Sequence, residues 1–441
     1  MPERLPARPA MTNRINGVAA MDMHATDTEL NPHKKWPRED CSRVPLWVYT
    51  DKDNYRSELE RIFYGPFWHF VGIDTEVPNT GDFKRATIGE RTVLMTRTET
   101  GEISVLQNNC AHRGVELCQA KFGHQKEIMC PYHQWTYDLK GELMGVPFRR
   151  GIKGKGGFPA DFDMKEHGLR VLKVENINGA VFASFDHSVP PMEEYLGDEN
   201  YFYLKRIFNG RKVKVLGYQR QRIKGDWKLY MENIKDPYHA SLLHVFLISF
   251  GLYRIDQKGV TITDERTRSH NVFASVRNTG EATGTMEMKS YRPDYTLNDM
   301  RLVKAAPEYN DEITIQIQTI FPDLVLQQQD NSLQLRYVIP MGPNEFELLW
   351  TYFGYEDDDE ETTMRRLRQA NLTGPSGFVS VDDTEVLEYS CAGIQANPGN
   401  TAVLELGGRG AAPPEDGNMV TEGPIRGFYE YYRTIMYGDQ D

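Results

Sequence analysis

Cysteine is scarce: the 441 residues hold five, Cys41, Cys110, Cys118, Cys130 and Cys391. An odd, sparse set does not build a disulfide framework, so metal or redox chemistry is the better reading of those that sit in motifs. Long apolar runs are also missing. The longest, near Leu242 to Tyr253, is broken by His244 and Ser249 and falls short of the roughly 18 to 20 residues a membrane span needs, so no bilayer crossing is expected. Positive charge is not in excess: 51 Lys and Arg against 63 Asp and Glu give a net charge of −12, which speaks against a general nucleic-acid binder. The N-terminal stretch has no apolar core of the roughly 7 to 15 residues that mark a secretory signal, so the cytoplasm is the expected compartment. No convincing G-x-G-x-x-G follows a strand pattern, which argues against direct dinucleotide binding.

What is present is an ordinary globular composition, 39% hydrophobic and 26% charged, rich in Tyr (23) and Phe (20). The length suggests two or three cores. Residues 1–43 are polar and Pro-bearing and are expected to be flexible. Residues 65–186 alternate short β-rich runs (Thr92 to Arg97, Ile103 to Gln107, Gly179 to Ser184) with turn residues, which predicts an antiparallel β domain. Residues 187–441 mix helical patterns (Asp226 to Val245, Glu360 to Leu372, Ile425 to Met436) with strands (Glu312 to Ile320, Leu324 to Gln329, Leu333 to Ile339, Phe346 to Tyr355). The expected class is therefore α+β, with helices covering an antiparallel sheet in the second domain and residues 44–64 packing on it. The acidic run Glu356 to Glu361 reads as a solvated helix start.

The first chemical constellation is Cys110-x-His112, a gap of 17 residues, then Cys130-x2-His133. Each loop supplies one thiolate and one imidazole. That alternation suits a [2Fe-2S] cluster of the Rieske kind, in which two Cys hold one iron and two His the other. Structural zinc, the alternative, usually pairs like with like. Trp135, Tyr137 and the turn Asp138 to Gly141 suit a loop mounted on a hairpin, and Cys118 reads as a buried structural thiol.

The second constellation is Asn233-x2-Asp236-x2-His239-x4-His244. Asp236 before Pro237 suits an N-cap with proline at the first helical position. On a regular helix the two imidazoles would lie about 140° apart, poor for shared ligation, so a π-bulge is expected between them. Ordinary packing of a capped helix is the competing reading. Two carboxylates in an apolar, small-residue segment, Asp382 and Asp383, offer a third ligand. Two His plus one carboxylate is the facial arrangement of non-haem Fe(II) oxygenases. Asp383 is the expected ligand and Asp382 its rival; the alternative is that both cap the helical stretch that follows.

Together the two patterns resemble the large (α) subunits of Rieske non-haem iron aromatic-ring-hydroxylating oxygenases, over nearly all residues from about Val44 to Gly438. Segments such as SRVPLWVYT, CPYHQWTYDLKGELMGVPFRRG and ENIKDPYHASLLH look most like salicylate 5-hydroxylase large subunits, with terephthalate and anthranilate dioxygenases close behind. The resemblance implies a Rieske domain at 65–186 and a catalytic domain at 187–441. It implies Cys110, His112, Cys130 and His133 as ligands of one [2Fe-2S] cluster, and His239, His244 and Asp383 as ligands of one mononuclear Fe(II). It implies Asp236 as the link from that iron to a cluster His of the neighbouring subunit, with Asn233 close to the iron. The implied assembly is a homotrimer or α3β3 ring with a small β subunit, served by a ferredoxin and ferredoxin reductase, so that NAD(P)H acts only indirectly. The implied reaction is O2-dependent hydroxylation of an aromatic acid, salicylate to gentisate first. The alternatives are cis-dihydroxylation of terephthalate, anthranilate or another benzoate, or a Rieske electron carrier without oxygenase activity.

An anionic substrate needs donors in an apolar pocket. Gln327, Gln329, Arg336 and Ser380 are the expected substrate contacts, against the plainer reading of sheet faces turned elsewhere. The basic loop Arg149 to Lys155 is either a ferredoxin contact or a solvated loop.

Overall fold

The computed structural model describes residues 35–253, 257–277, 289, 291–411 and 419–438. Most of the stretch expected to be flexible lies outside these residues. Its last part departs from the expectation: Cys41 and Ser42 are fully buried, and the strand Arg43–Pro45 pairs with Thr401–Val403. The helices are α1 (Lys52–Glu58), α2 (Met192–Ile207), α3 (Trp227–Ile234), α4 (Pro237–Leu243), α5 (Val245–Ser249), α6 (Glu360–Thr373), α7 (Phe378–Ala396) and α8 (Gly423–Tyr437).

The first part of the chain is antiparallel β, as its short alternating runs predict. A four-stranded sheet runs in the order Ile103–Gln107, Arg91–Arg97, Asp82–Ile88, Phe122–His124. A second sheet joins Lys173–Ile177, Ala180–Ser184 and His69–Ile73, and a small third one joins Ile128–Met129, Thr136–Tyr137 and Leu143–Gly145. The turn after Thr136–Tyr137 closes because Asp138 Oδ1 accepts from Lys140 N and Glu142 N, with Gly141 at φ 91° where a side chain would be strained.

The second part is built on one seven-stranded antiparallel sheet: Val213–Ile223, Phe346–Tyr355, Ser332–Pro340, Leu324–Gln329, Ile315–Ile320, Asn271–Ser275, Gly259–Thr263. Its central strands are buried on both faces although they carry Gln327, Gln328, Gln329, Gln334 and Arg336 among their apolar residues. α6 begins where the acidic run ends, with Asp359 Oδ1 accepting from Thr362 N, as the helix-start reading requires.

The cores do not follow the expected boundary near residue 186. One core runs from Cys41 to Met436 and unites Phe70, Val71 and Phe182 of the small sheet with Phe321, Tyr337 and Phe428. A separate core, with Leu94, Leu106, Ile128, Trp135, Tyr137 and Leu143, lies under the Cys-His loops. The loops thus have their own foundation, while the sheet behind them is welded to the larger part. A buried ion network fixes the start of α3: Lys228 Nζ lies 2.6 Å from Glu58 Oε1 and 2.7 Å from Asp226 Oδ1, and Trp227 Nε1 donates to Glu58 Oε2. α1 is thereby tied to the helix that leads into the second constellation.

Candidate metal centres and substrate cavity

The two Cys-His loops are built alike. Cys110 N donates to Val115 O and Gly114 N to Cys110 O; Cys130 N donates to Trp135 O and Gln134 N to Cys130 O. The fifth residue of each turn takes a left-handed conformation, Gly114 at φ 72° and Gln134 at φ 57°. Each loop thus presents its thiol inward and its imidazole at the tip. Both thiols are buried, within hydrogen-bonding reach of each other, and burial followed by the facing Cys130 pushes the Cys110 thiol up. The imidazoles are half-exposed, their ring centres 4.7 Å apart, and His112 stacks on Trp135 at 4.7 Å. Burial, then the facing His133, lowers His112, so it is neutral and able to ligate at neutral pH. Its Nδ1 is buried without a partner.

The donors separate into a thiol pair and an imidazole pair. Among the described residues no three of these four donors lie within 4.8 Å of one another, whereas His239, His244 and Asp383 do. A tetrahedral zinc with bonds of about 2.0 to 2.3 Å would need all four closer than that. A two-iron cluster needs two separated pairs. Tyr137 Oη accepts from Ala111 N at 3.1 Å, which leaves its proton for Cys110 Sγ at 3.2 Å. Cys118 is buried as expected, and its amide and carbonyl are both bonded to the side chain of Asn108.

At the second constellation Asp236 is the N-cap of α4, its Oδ1 accepting from Tyr238 N at 2.8 Å, with Pro237 at the first turn. Lys235, just before it, is fully buried and donates to Ser269 O, Asn271 Oδ1 and Thr319 Oγ1, which pins this turn to the sheet. The helical stretch Asp226 to Val245 is divided at Asp236, as its N-cap reading requires, into α3 and α4, and α5 begins at its end. The expected π-bulge is not formed: the helix breaks at His244 (φ −88°, ψ 81°) and restarts as α5. The distortion meets the same need by another route. Freed from helical phase, His244 turns its ring to 5.4 Å from that of His239.

α7 supplies the carboxylates. Gly377 is its N-cap, so Asp382 and Asp383 stand inside the helix and cap nothing. Consecutive helical residues diverge by about 100°, and the two part company accordingly. Asp383 Oδ1 lies 3.5 Å from His239 Nε2 and 3.3 Å from His244 Nε2. Asp382 Oδ2 lies behind, 3.3 Å from His244 Nδ1, and Asp236 Oδ2 lies 3.4 Å from His239 Nδ1. Each imidazole therefore has one nitrogen toward the centre and a carboxylate at the other, the arrangement that orients metal-ligating histidines. Burial pushes Asp383 up, but the two imidazoles outweigh it and hold the carboxyl well below its usual range. For His239 burial is likewise outweighed, by Asp236 and Asp383, and it is pushed up to about 10. Three carboxylates around two imidazoles are an excess of negative charge that a divalent cation balances. Asn233 Nδ2 donates to Asp383 Oδ1 at 3.3 Å.

These side chains open on one cavity, also lined by Leu247, Ile315, Ile317, Val379, Gln327, Gln329 and Arg336. Arg336 is 5% exposed, lies over Trp350 at 5.0 Å, and donates through Nη2 to Gln327 Oε1. Its Nε is buried without an acceptor, and no carboxylate pairs with it among the described residues. Gln327, Gln329 and Arg336 thus share the cavity with the three donors. Ser380 is not among the lining residues: it is buried on α7 and its hydroxyl donates to Gln221 Oε1 at 3.2 Å, which ties α7 to the sheet. Gln221 also donates to Thr384 Oγ1, gripping α7 on both sides of the carboxylates. Sequence reading missed Gln221; the only signal was its place on a polar strand face. The apolar wall was missed because Ile315 and Ile317 read as ordinary sheet core.

Comparison with known proteins agrees with this geometry. Residues 67–155 match the Rieske [2Fe-2S] domain family, and residues 210–438 the ring hydroxylating alpha subunit (catalytic domain) family. The large oxygenase component of salicylate 5-hydroxylase from Ralstonia sp is 50% identical over 91% of this chain and 96% of its own. The large subunit of anthranilate 1,2-dioxygenase from Burkholderia cepacia is 43% identical over 91% and 95%. Naphthalene 1,2-dioxygenase from Rhodococcus sp., solved with indole bound, superposes with a TM-score of 0.75 at 25% identity over 90% of this chain and 95% of that one. No helix among the described residues is long and apolar enough to cross a membrane. The chain belongs to the α subunits of Rieske ring-hydroxylating oxygenases, enzymes that carry a [2Fe-2S] cluster and a mononuclear iron.

Proposed function

We propose that the chain hydroxylates an aromatic carboxylate, salicylate to gentisate, as the oxygenase component of a multicomponent system in which NAD(P)H acts through a separate reductase and ferredoxin. The observation that carries the reading is Arg336: a buried guanidinium without a carboxylate partner among the described residues, in the same cavity as a two-His, one-carboxylate cluster. A buried unpaired charge is costly, and an anionic substrate repays that cost. The 50% identity to a salicylate 5-hydroxylase component supports the choice of acid.

In this reading Cys110, His112, Cys130 and His133 hold the cluster, and His239, His244 and Asp383 hold the iron. When bound, the cluster supplies electrons singly and the iron supplies activation of O2. The chain's own part is placement. Arg336 takes the carboxylate, Leu247, Ile315, Ile317 and Val379 keep water from the ring, and Asp236 and Asp382 keep the imidazoles in register.

The active assembly is a ring of three chains, with or without a small β subunit. No described residue of the Cys-His loops lines the cavity of its own chain. Around those loops Met129, Tyr132, Phe148 and Ile152 are exposed beside Arg113, Arg149 and Arg150; around the iron site Tyr238, Leu242, Phe378 and Val381 are exposed beside Asp382 and Glu385. The two surfaces are apolar with opposite charge, which suits head-to-tail pairing. A ferredoxin would take the remaining basic residues of the Arg149 to Lys155 loop, the exposed Lys153 and Lys155.

The test is turnover of salicylate by purified protein under 18O2. One labelled oxygen in gentisate is expected. Two labelled oxygens in a ring diol would mean cis-dihydroxylation instead, and a colourless, sulfide-free protein would sink the reading altogether. The cluster assignment makes a further prediction. Hydrogen bonds to ligating sulfur favour the electron-rich reduced form, so Tyr137→Phe should lower the reduction potential in a redox titration while the visible spectrum persists.

A further inference from the structure

α3 and α4 meet in a turn that carries two of the groups standing behind the metal donors. At its start Asn233 Nδ2 donates to Asp383 Oδ1, and at its end Asp236 Oδ2 lies 3.4 Å from His239 Nδ1. Asp236 N closes the turn by donating to Asn233 O at 3.2 Å. That bond fixes the turn's shape but not its place on the sheet. Its place is set by Lys235, whose Nζ donates to Ser269 O at 2.8 Å and to Asn271 Oδ1 and Thr319 Oγ1 at 2.6 Å each. An ammonium can only donate, so the oxygen of Asn271 must face it. Thr319 Oγ1 gives its own proton to the same oxygen and closes a triangle.

This triangle is one rung of a ladder that continues into the cavity. On two neighbouring strands Asn271 pairs with Thr319, Phe273 with Ile317 and Ser275 with Ile315. Side chains two residues apart share a face of the sheet, and the second and third rungs line the cavity while Lys235 itself does not. Lys228, the other fully buried lysine of this region, has Glu58 and Asp226 for partners. Lys235 has three neutral oxygens and, among the described residues, no carboxylate bonded to its Nζ. A buried charge without a counter-charge is costly, so stability alone is a poor account of this lysine. We propose that Lys235 is a positioning residue for the iron, an inference that rests on the reading of His239, His244 and Asp383 as its ligands: Lys235 locks the turn onto the strands of the cavity, so that Asn233 and Asp236 hold Asp383 and His239 in one orientation.

Electron paramagnetic resonance of the holoenzyme, its cluster oxidised and its ferrous iron treated with nitric oxide, reports the iron's surroundings without turnover. The wild type should give one nitrosyl species. Lys235→Met keeps the stem and loses the bonds: the signal should spread over several species and kcat should fall about 10- to 100-fold, with KM for the aromatic acid, iron content and cluster colour little changed. Thr319→Val should move both readouts the same way by less, and it decides the matter if Lys235→Met does not fold. Tyr432→Phe, which takes one bond from the Glu58 network at the other end of α3, should lower the melting temperature and leave the single species. A single species with unchanged kcat in the Lys235 variant, or in Thr319→Val where the first does not fold, would overturn the inference, as would the same spread in Tyr432→Phe; each leaves the ligand set in place. A wild type that takes up no ferrous iron and gives no nitrosyl signal would sink the ligand set, and the inference with it.

Discussion

His239→Ala should strip the mononuclear iron from the purified protein, drop turnover below detection, and leave the cluster's colour unchanged. Iron content should fall from about three to about two atoms per chain, and sulfide should hold. The expectation rests on two features. His239 Nε2 is one of only three donor groups that converge there among the described residues, and removing it leaves His244 and Asp383, too few to retain the ion. The Cys-His loops, by contrast, stand on a core that contains no residue of α4 or α7, so damage at one centre is not transmitted to the other by packing. Iron retained in the variant would show that the three side chains do not form the site. Loss of colour as well would show that the two centres share a foundation that this core does not reveal.

The constellations were legible because ligation imposes residue types and spacings that folding alone does not. Cys-x-His and Cys-x2-His survive as loops of one hydrogen-bond design, and Asp236 before Pro237 announces its N-cap in the sequence. The rest was hidden for identifiable reasons. The break at His244 replaces a π-bulge because nothing in the apolar run Leu242 to Ser249 says where the i→i−4 ladder gives way; that is decided by which ring must reach Asp383. The choice between Asp382 and Asp383 depends on helical phase, invisible until Gly377 is known to be the cap of α7. For Ser380 only its spacing from Asp383 spoke, and the sequence holds no sign that a helix face three residues back turns to Gln221. The common core escaped because it is made of contacts hundreds of residues apart, such as Phe70 against Tyr337.

The same logic bears on stability, since a site that holds an anion carries a cost when empty. Arg336 lies among Tyr230, Trp350 and Gln327 with Nε lacking an acceptor, in a strand that is buried throughout beside another that is too. An unpaired buried cation is destabilising, and apolar replacement of such groups is often neutral or stabilising. Arg336→Met, which keeps the length of the stem, should therefore hold or raise the melting temperature of the ligand-free protein. Its affinity for the aromatic acid should move the other way. Losing one partner of a buried charge pair costs roughly 2 to 5 kcal/mol, or roughly 30- to several-thousand-fold in the dissociation constant. The wild-type affinity should depend weakly on salt, because a buried pair is little screened. Opposite signs in the two measurements separate recognition from architecture: an arginine kept only for folding would lose stability and affinity together. Unchanged affinity in a stable variant would move the carboxylate elsewhere in the cavity and leave this guanidinium without a ligand to explain it.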